Sequence, residues 1–94
     1  MDMRAMMKQA QKMQEKIQRE MLELRVEASV GGGMVSVTMA GNRELVAVKI
    51  APEVLESKDA EMLEDLVRAA VNEANRKVEQ ALSEKMGGLR LPGF

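Results

Sequence analysis

The chain has 94 residues and a formal net charge of −1, which fits one small domain and gives no overall attraction to an anionic partner. It contains no Cys and no His, so disulfides, thiolate chemistry and the commonest general base and metal ligand are excluded. No apolar run approaches the ~20 residues of a membrane span, and no secretory signal is recognisable. We therefore expect a cytoplasmic protein with no membrane partner.

The chain is rich in Met and poor in aromatic residues. It has ten Met but only one Phe, and Tyr and Trp are absent. Met fills gaps in a core without specifying its packing well. One copy therefore has few bulky side chains for a core, and we expect self-association to bury more apolar surface.

Residues 1–23 are predicted to form a helical arm. Neither Gly nor Pro interrupts this segment, which consists mostly of good helix formers. Apolar residues recur at spacings of three and four, which predicts one apolar helix face. This methionine stripe consists of Met3, Met6, Ala10, Met13, Ile17, Met21 and Leu24. At ~1.5 Å per residue the helix is roughly 30 Å long, longer than the core of so small a domain requires, so part of it is expected to protrude.

Residues 24–50 are predicted to form a three-stranded antiparallel sheet. Apolar residues alternate with others in three short runs, which is typical of half-buried strands. The runs are joined at Gly31–Gly33 and at Gly41-Asn42, and turns this short force neighbouring strands to be antiparallel. The alternating residues are Leu24, Val26 and Ala28, then Val35, Val37 and Met39, then Val46, Val48 and Ile50.

Residues 57–86 are predicted to form a second long helix that covers the sheet. Pro52 ends the third strand, Ser57 or Asp59 is placed to cap the helix, and Gly87-Gly88 is placed to stop it. Residues 87–94 are expected to form an extended tail. The fold class is therefore α+β, an α-β-β-β-α chain with residues 1–94 as one domain.

An enzyme is disfavoured by what the sequence lacks. No Ser or Thr lies in a recognisable nucleophile turn, and Gly31–Gly33 joins two strands rather than a strand and a helix, so it is not a phosphate cradle. Glu61, Glu64 and Asp65 are interpreted as a solvated helix face rather than a metal site, because no further oxygen ligands accompany them. We expect no catalytic residue, no metal, no cofactor and no small-molecule substrate.

The first helix carries a row of cations on the side opposite the methionine stripe. The basic row consists of Arg4, Lys8, Lys12, Lys16 and Arg19, all within roughly 120° on a helical wheel. Residues 1–19 have a net charge of +3, whereas residues 51–84 have a net charge of −5. In the second helix, Glu64 is expected to neutralise the charge of Arg68, and Glu73 that of Lys77.

Two interpretations of each helix face stay open at this point. The basic row is either a solubilising surface or a row of charges that meets phosphates. The methionine stripe is either a packing seam, within one copy or between two first helices, or a groove for peptides.

Five segments of the sequence resemble those of the YbaB/EbfC family of small bacterial nucleoid-associated proteins. They are residues 7–16 (MKQAQKMQEK), the Gly-rich hairpin with residues 34–37 (MVSV), residues 50–55 (IAPEVL), residues 62–74 (MLEDLVRAAVNEA) and residues 91–94 (LPGF). The resemblance spans essentially the whole chain in the same order. It implies an intertwined, tweezer-shaped homodimer that binds double-stranded DNA in the nucleoid and alters its conformation, affecting gene expression and DNA protection.

In this family DNA contacts are attributed to the helical arms. Carried over to this sequence, the resemblance implies DNA contacts from Arg4, Lys8, Lys12 and Lys16, with Arg76, Lys77 and Lys85 as weaker candidates. Arg19 is a further candidate because it lies on the same helix face. It also implies a dimer body made of sheets and second helices, with an interface expected at Val35, Val37, Met39, Val46, Val48, Leu63, Leu66, Val67, Ala70 and Ala74. The alternative function is a dimeric scaffold that grips another protein, its basic row being only solubilising.

Overall fold

A computed structural model describes residues 2–86. The elements in chain order are α1 (Met3–Glu23), β1 (Arg25–Val30), β2 (Val35–Ala40), β3 (Leu45–Ile50), α2 (Pro52–Glu56) and α3 (Ala60–Met86). The α-β-β-β-α fold class is confirmed, with the short helix α2 inserted before the second long helix. The expected tail at 87–94 and the helix stop at Gly87-Gly88 lie outside the described residues.

Helix α1 extends away from the rest of the chain. The carboxylate of Asp2 caps it by accepting a hydrogen bond from the backbone N–H of Arg4, 3.0 Å away. Every residue from Asp2 to Lys16 is exposed, and only Ile17, Glu20 and Met21 are half-buried. The radius of gyration is 18.7 Å, whereas a compact domain of this length has about 12 Å. The arm therefore protrudes from the fold.

The sheet is a meander with the strand order β1-β2-β3. Ala28 pairs with Val37, and Val37 pairs with Val48, so these three side chains lie on one face. The first turn contains Gly31–Gly33 with φ values of 63°, 68° and 94°, a region that favours Gly. The second turn includes the expected Gly41-Asn42 pair, and its residue with a positive φ, 74°, is Arg43.

Helix α3 covers β1 and β2 and forms the core with them. Asp59 caps this helix by accepting a hydrogen bond from the N–H of Met62 at 3.0 Å. Three small or β-branched residues of the helix, Ala70, Ala74 and Val78, are fully buried. They allow the helix to approach the sheet closely, where they pack against Ala28, Val35, Val37 and Met39.

Much of the expected dimer interface lies inside one copy. Val35, Val37, Met39, Ala70 and Ala74 are at most 2% exposed, which leaves them no surface for a contact with a second copy. This corrects the expectation for those five residues, whose apolar pattern serves the core instead. The remaining helical residues of the set, Leu63, Leu66 and Val67, are half-buried against the same core.

Strand β3 is the uncovered part of the sheet. Its apolar residues on the α3 side are Val46, Val48 and Ile50, which are 51%, 49% and 37% exposed. We call these three residues the open β3 face. Val46 lies next to a bulge, where the register between β2 and β3 shifts at Thr38/Met39. One third of the apolar face of the sheet is therefore left without a covering element in a single copy.

Candidate nucleic-acid interface

The basic row lies on the protruding part of α1. Arg4, Lys8, Lys12 and Lys16 are four residues apart, so their Cα atoms follow one another at a rise of about 6 Å along the helix. All four residues are exposed, as is Arg19. No Arg or Lys of α1 forms an ion pair within residues 2–86, so these charges are left uncompensated.

The cations of α3 are in a different position because its own acids pair with them. Arg76 forms an ion pair with Glu73 at 2.5 Å, and Arg68 forms one with Asp65 at 2.6 Å. Both pairs are three residues apart, which corrects the expected partners Glu64 for Arg68 and Lys77 for Glu73. The hydrogen bond and the positive charge of Arg76 lower the pKa of the Glu73 carboxyl below its ordinary value.

Lys77 is bonded to the backbone of another element of the fold. Its Nζ donates a hydrogen bond to the backbone carbonyl oxygen of Glu27 at 2.7 Å, which joins α3 to β1. Lys85, near the end of α3, is exposed and forms no ion pair among the described residues. Of the three weaker candidates, Arg76 and Lys77 therefore form bonds within the chain. Lys85, like the residues of the basic row, is exposed and forms no ion pair among the described residues.

Two further arginines, Arg25 and Arg43, donate hydrogen bonds to backbone carbonyl oxygens near the elements that follow α1. Arg25 donates to the backbone carbonyl oxygens of Leu22 at 2.5 Å and Leu24 at 2.9 Å, where α1 passes into β1. Arg43 donates to the backbone carbonyl of Asn75 at 2.9 Å and so holds the second turn against α3. The structural roles of Arg25 and Arg43 are recognisable only from their hydrogen-bond partners, because nothing in their sequence spacing distinguishes them from other surface cations.

The part of the chain that the structure describes, residues 2–86, offers no group of three or more carboxylates placed to hold a metal ion. None of the helices within that range is long and apolar enough to cross a lipid bilayer. The chemically distinctive feature of the surface is therefore the basic row, with the exposed methionine stripe behind it.

A row of uncompensated cations along one helix is the electrostatic footprint of a nucleic-acid-binding protein. The model of the YbaB/EbfC DNA-binding family matches residues 1–93, and the chain belongs to this family. A nucleoid-associated protein of Koribacter versatilis is 50% identical over 93 residues, covering 95% of this chain and 92% of that protein. A nucleoid-associated protein of Alkaliphilus metalliredigens is 48% identical over 100 residues, covering 99% and 88%.

The fold also has a counterpart among solved structures. The crystal structure of an uncharacterized protein from Helicobacter pylori superposes with a TM-score of 0.79 and 25% sequence identity. The superposition covers 95% of this chain and 97% of that one. The arrangement of the arm, sheet and long helix is thus shared by a protein with a quite different sequence.

Proposed function

We propose that the protein binds double-stranded DNA as a homodimer, through the basic rows of its two α1 helices, and alters the conformation of the DNA. Its place of action is the nucleoid in the cytoplasm, in keeping with relatives that are named nucleoid-associated proteins. The observation that carries the proposal is the uncompensated charge of Arg4, Lys8, Lys12 and Lys16 on an exposed helix. Roles in gene regulation and DNA protection follow from occupancy of the DNA.

Phosphate contacts account for this binding better than base recognition does. A row of ammonium and guanidinium groups gains affinity by releasing the counterions condensed on the duplex, whatever its sequence. Within α1, amide side chains suited to reading base edges come only from Gln9, Gln11, Gln14 and Gln18. The chain contains no Trp, Tyr or His to stack on unpaired bases. We therefore expect loose sequence preference and a preference for duplex over single strands.

The homodimer is supported by two apolar surfaces that one copy leaves open. One is the open β3 face, and the other is the outer half of the methionine stripe, where Met3, Met6 and Met13 are 75%, 54% and 55% exposed. Contiguous exposed apolar surface on a small protein marks a contact with another molecule. A second copy that covers these surfaces presents two basic rows at once, which multiplies the phosphate contacts available to one duplex.

The test is a matched pair of triple variants titrated with duplex DNA. Lys8→Gln/Lys12→Gln/Lys16→Gln removes three charges from the basic row. Lys49→Gln/Lys58→Gln/Arg68→Gln removes three exposed charges elsewhere, so both variants have the same net charge. The arm variant should lose at least ~100-fold in affinity because a dimer loses six phosphate contacts, and the control should lose less than about threefold.

Two readouts separate this function from the scaffold alternative. Sedimentation of both triple variants should give the mass of two chains, since none of the substituted residues is apolar. If the arm variant binds DNA as well as its control does, the phosphate mechanism is wrong. The exposed methionines then favour the scaffold, in which the arm grips another protein.

A further inference from the structure

The first three turns of α1 carry positive side-chain charge only. Residues 3–14 include Arg4, Lys8 and Lys12 and no Asp or Glu. The acid that precedes them, Asp2, caps the helix and lies about 160° from Arg4 on a helical wheel. All three cations are exposed and form no ion pair among the described residues. This segment therefore attracts small anions as well as the phosphates of DNA.

Arg4 and Lys8 differ in what their side chains can do with an anion. The guanidinium of Arg4 stays charged and can hold a phosphate through two parallel N–H···O bonds. The amine of Lys8 is a nucleophile in its unprotonated fraction. The two residues are four apart, so they share one helix face with their Cβ atoms about 5–6 Å apart. An anion held by Arg4 is therefore within reach of the Lys8 amine.

We propose that Arg4 and Lys8 form a modification site for acyl phosphates, in which Arg4 binds the phosphate of the donor and Lys8 accepts its acyl group. In such a donor one bridging oxygen separates the phosphorus from the acyl carbon, so both groups fit between neighbouring turns of the helix. The unprotonated Nζ attacks the acyl carbon, a C–N bond forms, and the C–O bond to the phosphate breaks. Inorganic phosphate leaves with the electron pair of that bond, and Nζ releases a proton to water.

The C-terminal part of the basic row contains a second pair of this kind, Lys16 and Arg19, but acids accompany it. Glu15, Glu20 and Glu23 lie within two turns of this pair. Their carboxylates reduce its attraction for an anionic donor. The N-terminal pair is therefore the stronger site, and the reason is the absence of acids around it.

Acylation of Lys8 regulates DNA binding, a consequence that rests on the function proposed above. The amide product has no positive charge, so each acylated chain loses one phosphate contact. A dimer acylated in both arms loses two contacts, and its affinity for duplex DNA should fall at least about fivefold. Conversely, DNA that covers the basic row shields Lys8 from the donor.

Acylation rates measured at individual lysines test the site. The unmodified protein and an Arg4→Gln variant are treated with acetyl phosphate at low salt, and peptide mass spectrometry follows each lysine over time. Lys58 is the control, because it is exposed but lies between Glu56 and Asp59 in the sequence. We expect Lys8 to react at least about fivefold faster than Lys58, and Arg4→Gln to remove most of that difference.

A neutral donor separates anion binding from simple exposure. Acetic anhydride carries no charge, so Arg4→Gln should leave its rate of reaction with Lys8 unchanged, and high salt should slow only the reaction with acetyl phosphate. If Arg4→Gln changes neither rate, or changes both equally, Arg4 holds no donor and the proposal is wrong. Equal rates at Lys8 and Lys58 with acetyl phosphate also contradict it.

A DNA titration distinguishes failure of this site from failure of the proposed function. Lys8→Gln removes the same charge as acylation does and should lower the affinity for duplex DNA by the same factor. An acylation rate that depends on Arg4, together with an unchanged DNA affinity in Lys8→Gln, keeps the modification site and rejects a phosphate contact at Lys8. A lowered DNA affinity with an acylation rate that does not depend on Arg4 rejects the site and keeps the function.

Discussion

Gly41 lies so close to the backbone carbonyl of Met21 that a Cβ atom at position 41 would overlap it. The same glycine donates its N–H to the carbonyl oxygen of Leu24 at 3.2 Å. Both partners belong to the junction at which α1 ends and β1 begins. The turn after β2 therefore sets the direction in which the arm that carries the basic row leaves the fold, although this turn lies about twenty residues further along the chain.

The first prediction follows from this contact. Gly41→Ala should lower the free energy of unfolding by about 1–3 kcal/mol, because the added methyl group meets backbone rather than a movable side chain. It should also weaken DNA binding, since the arm must shift. Gly32→Ala is the control: a Cβ there meets nothing within 4 Å, and its cost comes from the positive φ alone. If the two variants bind DNA equally well, the turn does not position the arm.

The second prediction compares two lysines of equal charge. Lys77 donates to the carbonyl of Glu27, whereas Lys12 stands free on the basic row. Lys77→Met should cost about 1 kcal/mol of stability and leave the affinity for DNA nearly unchanged. Lys12→Met should do the reverse, lowering the affinity several-fold with the melting temperature unchanged. Equal losses of DNA affinity in both variants would show that Lys77 leaves Glu27 to contact DNA.

The third prediction concerns pH. The hydrogen bond from Arg76 and its positive charge lower the pKa of Glu73, so the folded chain holds this proton less tightly than the unfolded chain does. The pair therefore stabilises the fold at neutral pH. This contribution declines as the pH falls below the ordinary pKa of a Glu and is lost once the pH passes the lowered value. A carboxyl-carbon NMR titration should show the Glu73 carboxyl titrating below the ordinary pKa of a Glu, and Arg76→Gln should raise its pKa toward that ordinary value.

The helices and strands were predictable from the sequence because their apolar periodicity is local. The spacing of Met3, Met6, Ala10 and Met13 predicted the α1 helix, and the alternation around Val37 predicted strand β2. What each apolar face contacts was not predictable in this way. Val37 and Val48 follow the same alternation, yet α3 covers one and leaves the other half exposed. That difference depends on the width of one helix relative to three strands, which no local pattern encodes.

The candidate site was likewise predictable from the sequence only in part. The basic row followed from four-residue spacing, since residues at i and i+4 must share a helix face. The engagement of Arg76 and Lys77 did not, because an ion pair at i+3 competes with one at i+4, and the bond to Glu27 joins residues fifty positions apart. The roles of Gly41 and Arg43 likewise depend on chain segments that meet only after folding.

The most direct test of the central claim, that two basic rows meet phosphates, is the salt dependence of DNA binding by the unmodified protein. If a dimer contacts about six phosphates, the logarithm of the association constant should fall with the logarithm of salt concentration at a slope of about −5. The Lys8→Gln/Lys12→Gln/Lys16→Gln variant should give a clearly shallower slope, because only Arg4 and Arg19 of each basic row remain. An association constant that barely changes with salt, or equal slopes for the two proteins, would contradict binding through the basic rows.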